Sequence, residues 1–298
     1  MKPSRHFLEC AKKFIYRNAR PLDFARWKFH FENGSAQDVL EILAAYQNPD
    51  GGFAHAIEPD LWNIVSTPAG VWAAAEILRE IGFSDASHPV VQGMLRYLAS
   101  GKDFQNNRWQ FSVPSNRCYP HAAWWDYGSG GAPATDPTPS LAGFVLKNAE
   151  KNGELYCRAR GIAVKAVFEY LVNRPKDAQM LRCYLELLGD VEDVPEFEAL
   201  DMKFFRQKLY GDVRNFAQSN GTQCVKPSQF FESGRRVFHI FDRADCAKEA
   251  EAMQAAQCSD GSLPVSGQWW TEYKQAEIAE NWWKSSMLIS ALLYVFAI

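Results

Sequence analysis

The hexapeptide QNPDGG at residues 47–52 returns near the other end of the chain as QCSDGS at residues 257–262. Each copy follows a stretch of helical periodicity, and about twenty residues further on comes another helical stretch, carrying Trp72 in one case and Trp282 with Trp283 in the other. A repeated unit of two helices and a turn cannot bury its apolar face alone, so it must stack on its neighbours or close with them into a ring. Weaker echoes at 106–109 and 218–221 extend the recurrence toward the middle of the chain.

Apolar residues recur at helical spacing almost everywhere. Val39, Leu40, Ile42 and Leu43 make one stripe; Val71, Trp72, Ala75, Leu78 and Ile81 make another, stopped by Gly82. Further helices are predicted over about 4–18, 21–32, 88–100, 138–151, 157–173, 177–188, 197–218, 241–257 and 276–297, and strand-like alternation is hardly present. Some connections are short, as at 173–176, whereas 48–66, 102–136, 220–235 and 258–275 are long and rich in Gly, Pro and aromatic residues. Long loops inside a compact domain are usually functional. The expected architecture is all-α: one α/α toroid, a closed ring of helical hairpins, formed as a single domain over residues 1–298 with its long loops on one face.

A net charge of -3 from 32 basic and 35 acidic side chains, with no basic stripe, argues against a nucleic-acid partner. The first 20 residues lack the apolar core of a signal peptide, and the longest apolar run, Met287 to Ile298, is too short to span a bilayer, so a cytoplasmic protein is expected. The seven cysteines, at 10, 118, 157, 183, 224, 246 and 258, form no CxxC pair and read as reduced, small core residues. No glycine-rich phosphate cradle and no G-x-S-x-G elbow occurs, which leaves nucleotide binding and serine hydrolysis without support. Mixed charges at 8–20, 235–248 and 274–284 read as solvated helix faces.

Gln47-Asn48-Pro49-Asp50-Gly51-Gly52-Phe53, followed by Thr67 and a helix from Val71-Trp72 to Gly82, resembles the repeat of the terpenoid cyclase and protein prenyltransferase superfamily. The resemblance implies an α/α toroid in which a Gln at a helix end satisfies backbone groups beside a Gly-rich turn, with an aromatic packed over it. The acidic DxDD motif of the class II cyclases is absent. The Asp, Cys and His of the prenyltransferase zinc site have no counterpart beyond the lone Cys118 and His121, so neither metal nor other cofactor is expected.

Three clusters of acidic and aromatic residues are candidates for chemistry. In the first loop, His55, Glu58 and Asp60 stand beside Trp62; two carboxyls and an imidazole held together can supply a general acid and base, while the alternative is that the carboxylates cap helix ends or the turn, with Pro59 fixing the path between them. The second cluster holds His121, Trp124, Trp125, Asp126 and Tyr127, ahead of an Asp136 expected to cap the next helix. The third holds Trp269, Trp270, Glu272 and Tyr273 in a loop, with Trp282 entering the last helix. If the ring closes, the three converge on one rim around a pocket for a small apolar or ring-stacking ligand. Three functions fit: an enzyme acting on an isoprenoid-like or other bulky apolar substrate, a non-catalytic toroid that binds a peptide or protein partner, and a carbohydrate-active hydrolase or lyase.

Overall fold

A computed structural model of the chain describes residues 2–128, 135–175, 177–192, 194, 197, 201–218, 226–231, 237–265 and 273–298. Among them the chain forms α1 (Arg5–Asn18), α2 (Pro21–Phe31), α3 (Ala36–Ala44), α4 (Pro68–Glu80), α5 (Pro89–Ala99), α6 (Thr138–Asn148), α7 (Glu154–Val172), α8 (Ala178–Val191), α9 (Met202–Gln218), α10 (Val237–Ile240), α11 (Arg243–Ala255) and α12 (Ala276–Ala297). Among the described residues the fold is all-α apart from one hairpin, β1 (Phe104–Gln105) with β2 (Arg108–Trp109). Asn106 and Asn107, both at positive φ, turn this hairpin, so the 106–109 echo is a hairpin turn rather than a copy of the repeated one. Residues 219–221 of the other echo lie outside the described residues.

Helix starts follow from side chains that accept the free N–H groups of the first turn. Ser4, Thr67 and Asp177 cap α1, α4 and α8, and Ser35 forms a capping box with Asp38 at α3. Asp136 accepts from the N–H of Thr138 at 2.9 Å, as a residue starting α6 should.

Burial alternates along the chain. In α4, ten of 13 residues are buried, and in α6 nine of 11, so these helices are packed on nearly every side. Their neighbours α1, α3 and α9 bury single stripes, such as Phe205, Leu209 and Val213 of α9. The even-numbered helices α2, α4, α6 and α8 bury a larger share of their residues than the odd-numbered helices beside them.

The two repeated turns share one construction. The Gln47 amide donates to the carbonyls of Gly51 and, in α5, Val90, both at 2.9 Å; the Gln257 amide donates to those of Gly261 and, in α1, Phe7, both at 3.0 Å. Asp50 accepts from the N–H of Gly52 at 3.0 Å, and Asp260 from that of Ser262 at 2.9 Å. Gly51 (φ +90) would place a Cβ 2.1 Å from the Gly93 carbonyl of α5, and Gly261 (φ +95) one 2.3 Å from the Cys10 carbonyl of α1, so only glycine allows either docking. What α5 does for the first turn, the N-terminal helix does for the last.

The two chain ends therefore meet. α1 and α2 both pack on α12, and Phe7, Phe14, Trp27, Leu288 and Leu292 form a cluster of their own beside the main core. No described helix is long and apolar enough to cross a membrane. All six described cysteines are unpaired, but only Cys183 and Cys246 are buried; Cys118 and Cys157 are exposed, because each sits where its segment meets solvent, which corrects the expectation of core thiols.

Candidate active site

After the first turn, Phe53 bridges to Gln47 and Thr67, and the chain then takes two successive left-handed residues, His55 (φ 60) and Ala56 (φ 57). Each such residue costs on the order of 1–2 kcal/mol, so something must hold them. Arg20, buried at the start of α2, donates to the carbonyls of both Ala56 and Ile57, the latter at 2.8 Å. That clamp fixes the path into Glu58, Pro59 and Asp60.

The second loop is laid against the first as a short ladder. Trp62 N–H donates to the Pro120 carbonyl and Ala122 N–H to the Asp60 carbonyl, each at 2.9 Å, around a Leu61–His121 bridge. The Trp125 indole then donates to Asp60 Oδ1 at 2.9 Å. The last helix and the residues before it complete the assembly: the Trp62 and Trp282 rings are parallel with centroids 5.3 Å apart, and the Tyr273 ring lies 5.8 Å from that of His121. The result is a small, partly open recess, a cavity of about 20 Å³, between Asp60, Trp62, His121, Ala122, Tyr273, Gln275 and Ala279.

Of the residues expected from sequence, Asp60, Trp62, His121 and Tyr273 line this recess, Trp125 bonds Asp60, and Trp282 backs Trp62. Trp124 is 47% exposed at the protein surface. His55 is not part of the carboxyl pair: its left-handed backbone turns the side chain outward, where it is exposed and bonded to Asn48 Oδ1 at 2.9 Å. Asp126 is engaged with Arg117 at 3.6 Å and with His121 at 3.8 Å, and the Arg117 guanidinium also covers the Tyr127 ring. Trp269, Trp270 and Glu272 lie outside the described residues.

The two carboxyls are perturbed in the same direction by different surroundings. Burial, reinforced by the charge of Asp60, pushes Glu58 up to about 8, against the pull of Arg20 and Arg182. Burial pushes Asp60 up to about 6, opposed by the indole N–H groups of Trp125, Trp283 and Trp124. Asp60 is only 4% exposed. Neither carboxylate caps a described helix, and Asp60 accepts from its own backbone N–H within the turn.

Behind Glu58 lies a charged interior that the sequence reading missed. Asp23 is held between Arg20 at 2.7 Å and Arg26 at 2.8 Å, and Arg26 continues to Glu80 of α4 at 2.5 Å. On the same face of α4, Arg79 reaches Asp190 of α8 at 2.6 Å, while Glu76 meets Arg182 of α8 at 2.6 Å. Glu186 accepts from the Trp72 indole at 2.9 Å and pairs with both Arg79 and Arg182 at 3.3 Å. Burial raises Glu76, with the nearby Glu186 charge adding to it, whereas Arg79 and Arg182 hold the more deeply buried Glu186 down. A visible signal existed: Arg182, Glu186 and Asp190 repeat at every fourth position of an otherwise apolar helix, and Glu76 and Arg79 interrupt another. Arg20, inside a stretch expected to be a solvated face, is buried here because it clamps the loop.

Among the described residues no group of three His, Cys, Asp or Glu side chains could hold a metal ion. Compared with protein-family models, curated proteins and solved structures, the chain matches none.

Proposed function

We propose that the chain is a closed α/α ring that acts as an acid–base enzyme on a small ligand with a bulky apolar or ring-stacking face. The observation that carries this reading is the sorting of the buried carboxyls. Asp23, Glu80, Glu186 and Asp190 are each paired with arginines, as a purely structural or partner-binding interior would require of all of them. Glu58 and Asp60 are the exceptions: neither forms an ion pair with another of the described residues, and Asp60 lines the aromatic recess. Two neighbouring carboxyls near 8 and 6 divide the work, since at neutral pH Glu58 keeps its proton as the acid while Asp60 is largely ionised as the base.

The ring reading is supported by the equivalence of α1 and α5 at the two turns, and the resemblance of those turns to the terpenoid cyclase and prenyltransferase repeat is in keeping with it. The recess walls are largely aromatic and aliphatic, which favours an isoprenoid-like or other apolar substrate over a polysaccharide groove. The test is to purify wild type and Glu58→Gln from the same cells and identify bound small molecules by mass spectrometry. The variant is expected to carry a ligand that the wild-type enzyme converts to a species of different mass or, for an isomer, different chromatographic retention and fragmentation; a ligand left unchanged in all three by wild type would rule out catalysis on it.

A further inference from the structure

We propose that Ser112 and Asn116 are positioning residues for Asp60: together they grip the Trp125 carbonyl from within the second loop and so aim the Trp125 indole N–H at the carboxylate. Their role follows from the reading of Asp60 as the base, and they reach Asp60 only through Trp125.

The grip is a chain of buried polar contacts. Asn116 lies in a 3₁₀ turn, Pro114–Cys118, and is fully buried. Its Nδ2 donates to the Trp125 carbonyl at 2.9 Å and to Ser112 Oγ at 3.3 Å, and the Ser112 hydroxyl donates to the same carbonyl at 2.6 Å. Asn116 Oδ1 accepts from Asn63 Nδ2 at 2.9 Å, which ties the same amide to the first loop just past Asp60. The Trp125 ring stacks on Phe111, with centroids 4.5 Å apart and planes at 22°. A held carbonyl and a held ring plane leave the indole little freedom, and its N–H meets Asp60 Oδ1 at 2.9 Å. A carboxylate this buried stays ionised only where donors are kept on it. Of the three indoles that oppose the effect of burial on Asp60, that of Trp125 acts most strongly. The ionisable groups that share its surroundings, Glu58 of its own loop, His121 of the second and Tyr273 ahead of α12, are left in place by changes to Ser112 or Asn116.

Carboxyl ¹³C NMR titration of the whole protein, with Asp60→Asn marking the resonance, reads the effect. Ser112→Ala and Asn116→Ala are each expected to move the Asp60 ionisation upward by about half a pH unit or more. Trp125→Phe keeps a ring against Phe111 but removes the donor, and is expected to move it by about one pH unit. In the Trp125→Phe background, neither Ser112→Ala nor Asn116→Ala should move it further. A merely structural role would lower stability and leave the titration where it is. An unmoved Asp60 in either single variant, or the same displacement with and without the Trp125 indole, would overturn the proposal. Ser112→Ala loses only a hydroxyl, so the test holds even where Asn116→Ala does not fold. The two readings fail separately: the pH at which wild-type Asp60 ionises decides its use as a base, and the displacement of that pH in the variants decides the role of Ser112 and Asn116.

Discussion

The Trp62 indole stacks on that of Trp282, with the ring planes 4° apart and the centroids separated by 5.3 Å. This contact ties the first long loop to the last helix across almost the whole length of the chain. Trp282→Ala is expected to lower stability by about 1–3 kcal/mol, the lost area of a half-buried ring plus the pairing term, and to speed proteolysis within residues 53–66. Cleavage of that loop at the wild-type rate would show that the stack does not hold it.

The repeated turns should respond alike to the same change. Gln47→Ala and Gln257→Ala each remove one amide that serves two carbonyls, one of them in another helix, and each is expected to cost about 1–3 kcal/mol in denaturant unfolding. Gly51→Ala and Gly261→Ala should cost more, since each adds backbone strain to a Cβ within 2.1 Å or 2.3 Å of a carbonyl oxygen.

Much of this architecture is legible in the sequence, and the reasons are local. The stripes at Val39–Leu43 and Val71–Ile81 and the two Gln-to-Gly turns depend on residues close in sequence, and the structure has helices and turns there. Glu58, Asp60 and Trp62 stand out because a polar and aromatic loop between apolar helices has few other uses. His55 could not be separated from them, because its exclusion depends on a φ of 60 that no composition reveals. Arg20, Glu76, Arg79 and Glu186 stayed hidden for the opposite reason: charges at helical spacing look like a solvated face until partners from distant helices cover them.

Asp23 is the most sensitive point of the charged interior, fully buried between two arginines. Asp23→Asn leaves the Arg20 guanidinium without its counter-charge and Arg26 with Glu80 alone, and a loss of about 3–5 kcal/mol is expected. Because Arg20 also clamps Ala56 and Ile57, amide exchange in residues 54–58 should accelerate in the same variant. A change under about 1 kcal/mol would mean that the network contributes little to the fold.

The pH dependence of stability carries a sign that can be checked. Glu58 is raised in the folded protein from its ordinary 4.5 to about 8, so the native state holds a proton that the unfolded chain releases. Its contribution is complete below about pH 4.5 and is lost as the pH rises through about 8. Glu80 runs the other way: burial raises it, but Arg26 and His30 prevail and bring it down to about 2, so its contribution is present above pH 4.5 and disappears toward pH 2. Unfolding free energy should therefore fall between about pH 5 and pH 8, and Glu58→Gln should flatten that slope by about one proton.

The central claim is that Glu58 and Asp60 are a divided acid and base, and carboxyl ¹³C NMR titration of the whole protein tests it most directly, with Glu58→Gln and Asp60→Asn identifying the two resonances. A Glu58 signal that ionises near pH 8 and an Asp60 signal that ionises near pH 6 are expected. Two carboxyls that both ionise below about pH 5, as ordinary solvated ones do, would contradict it.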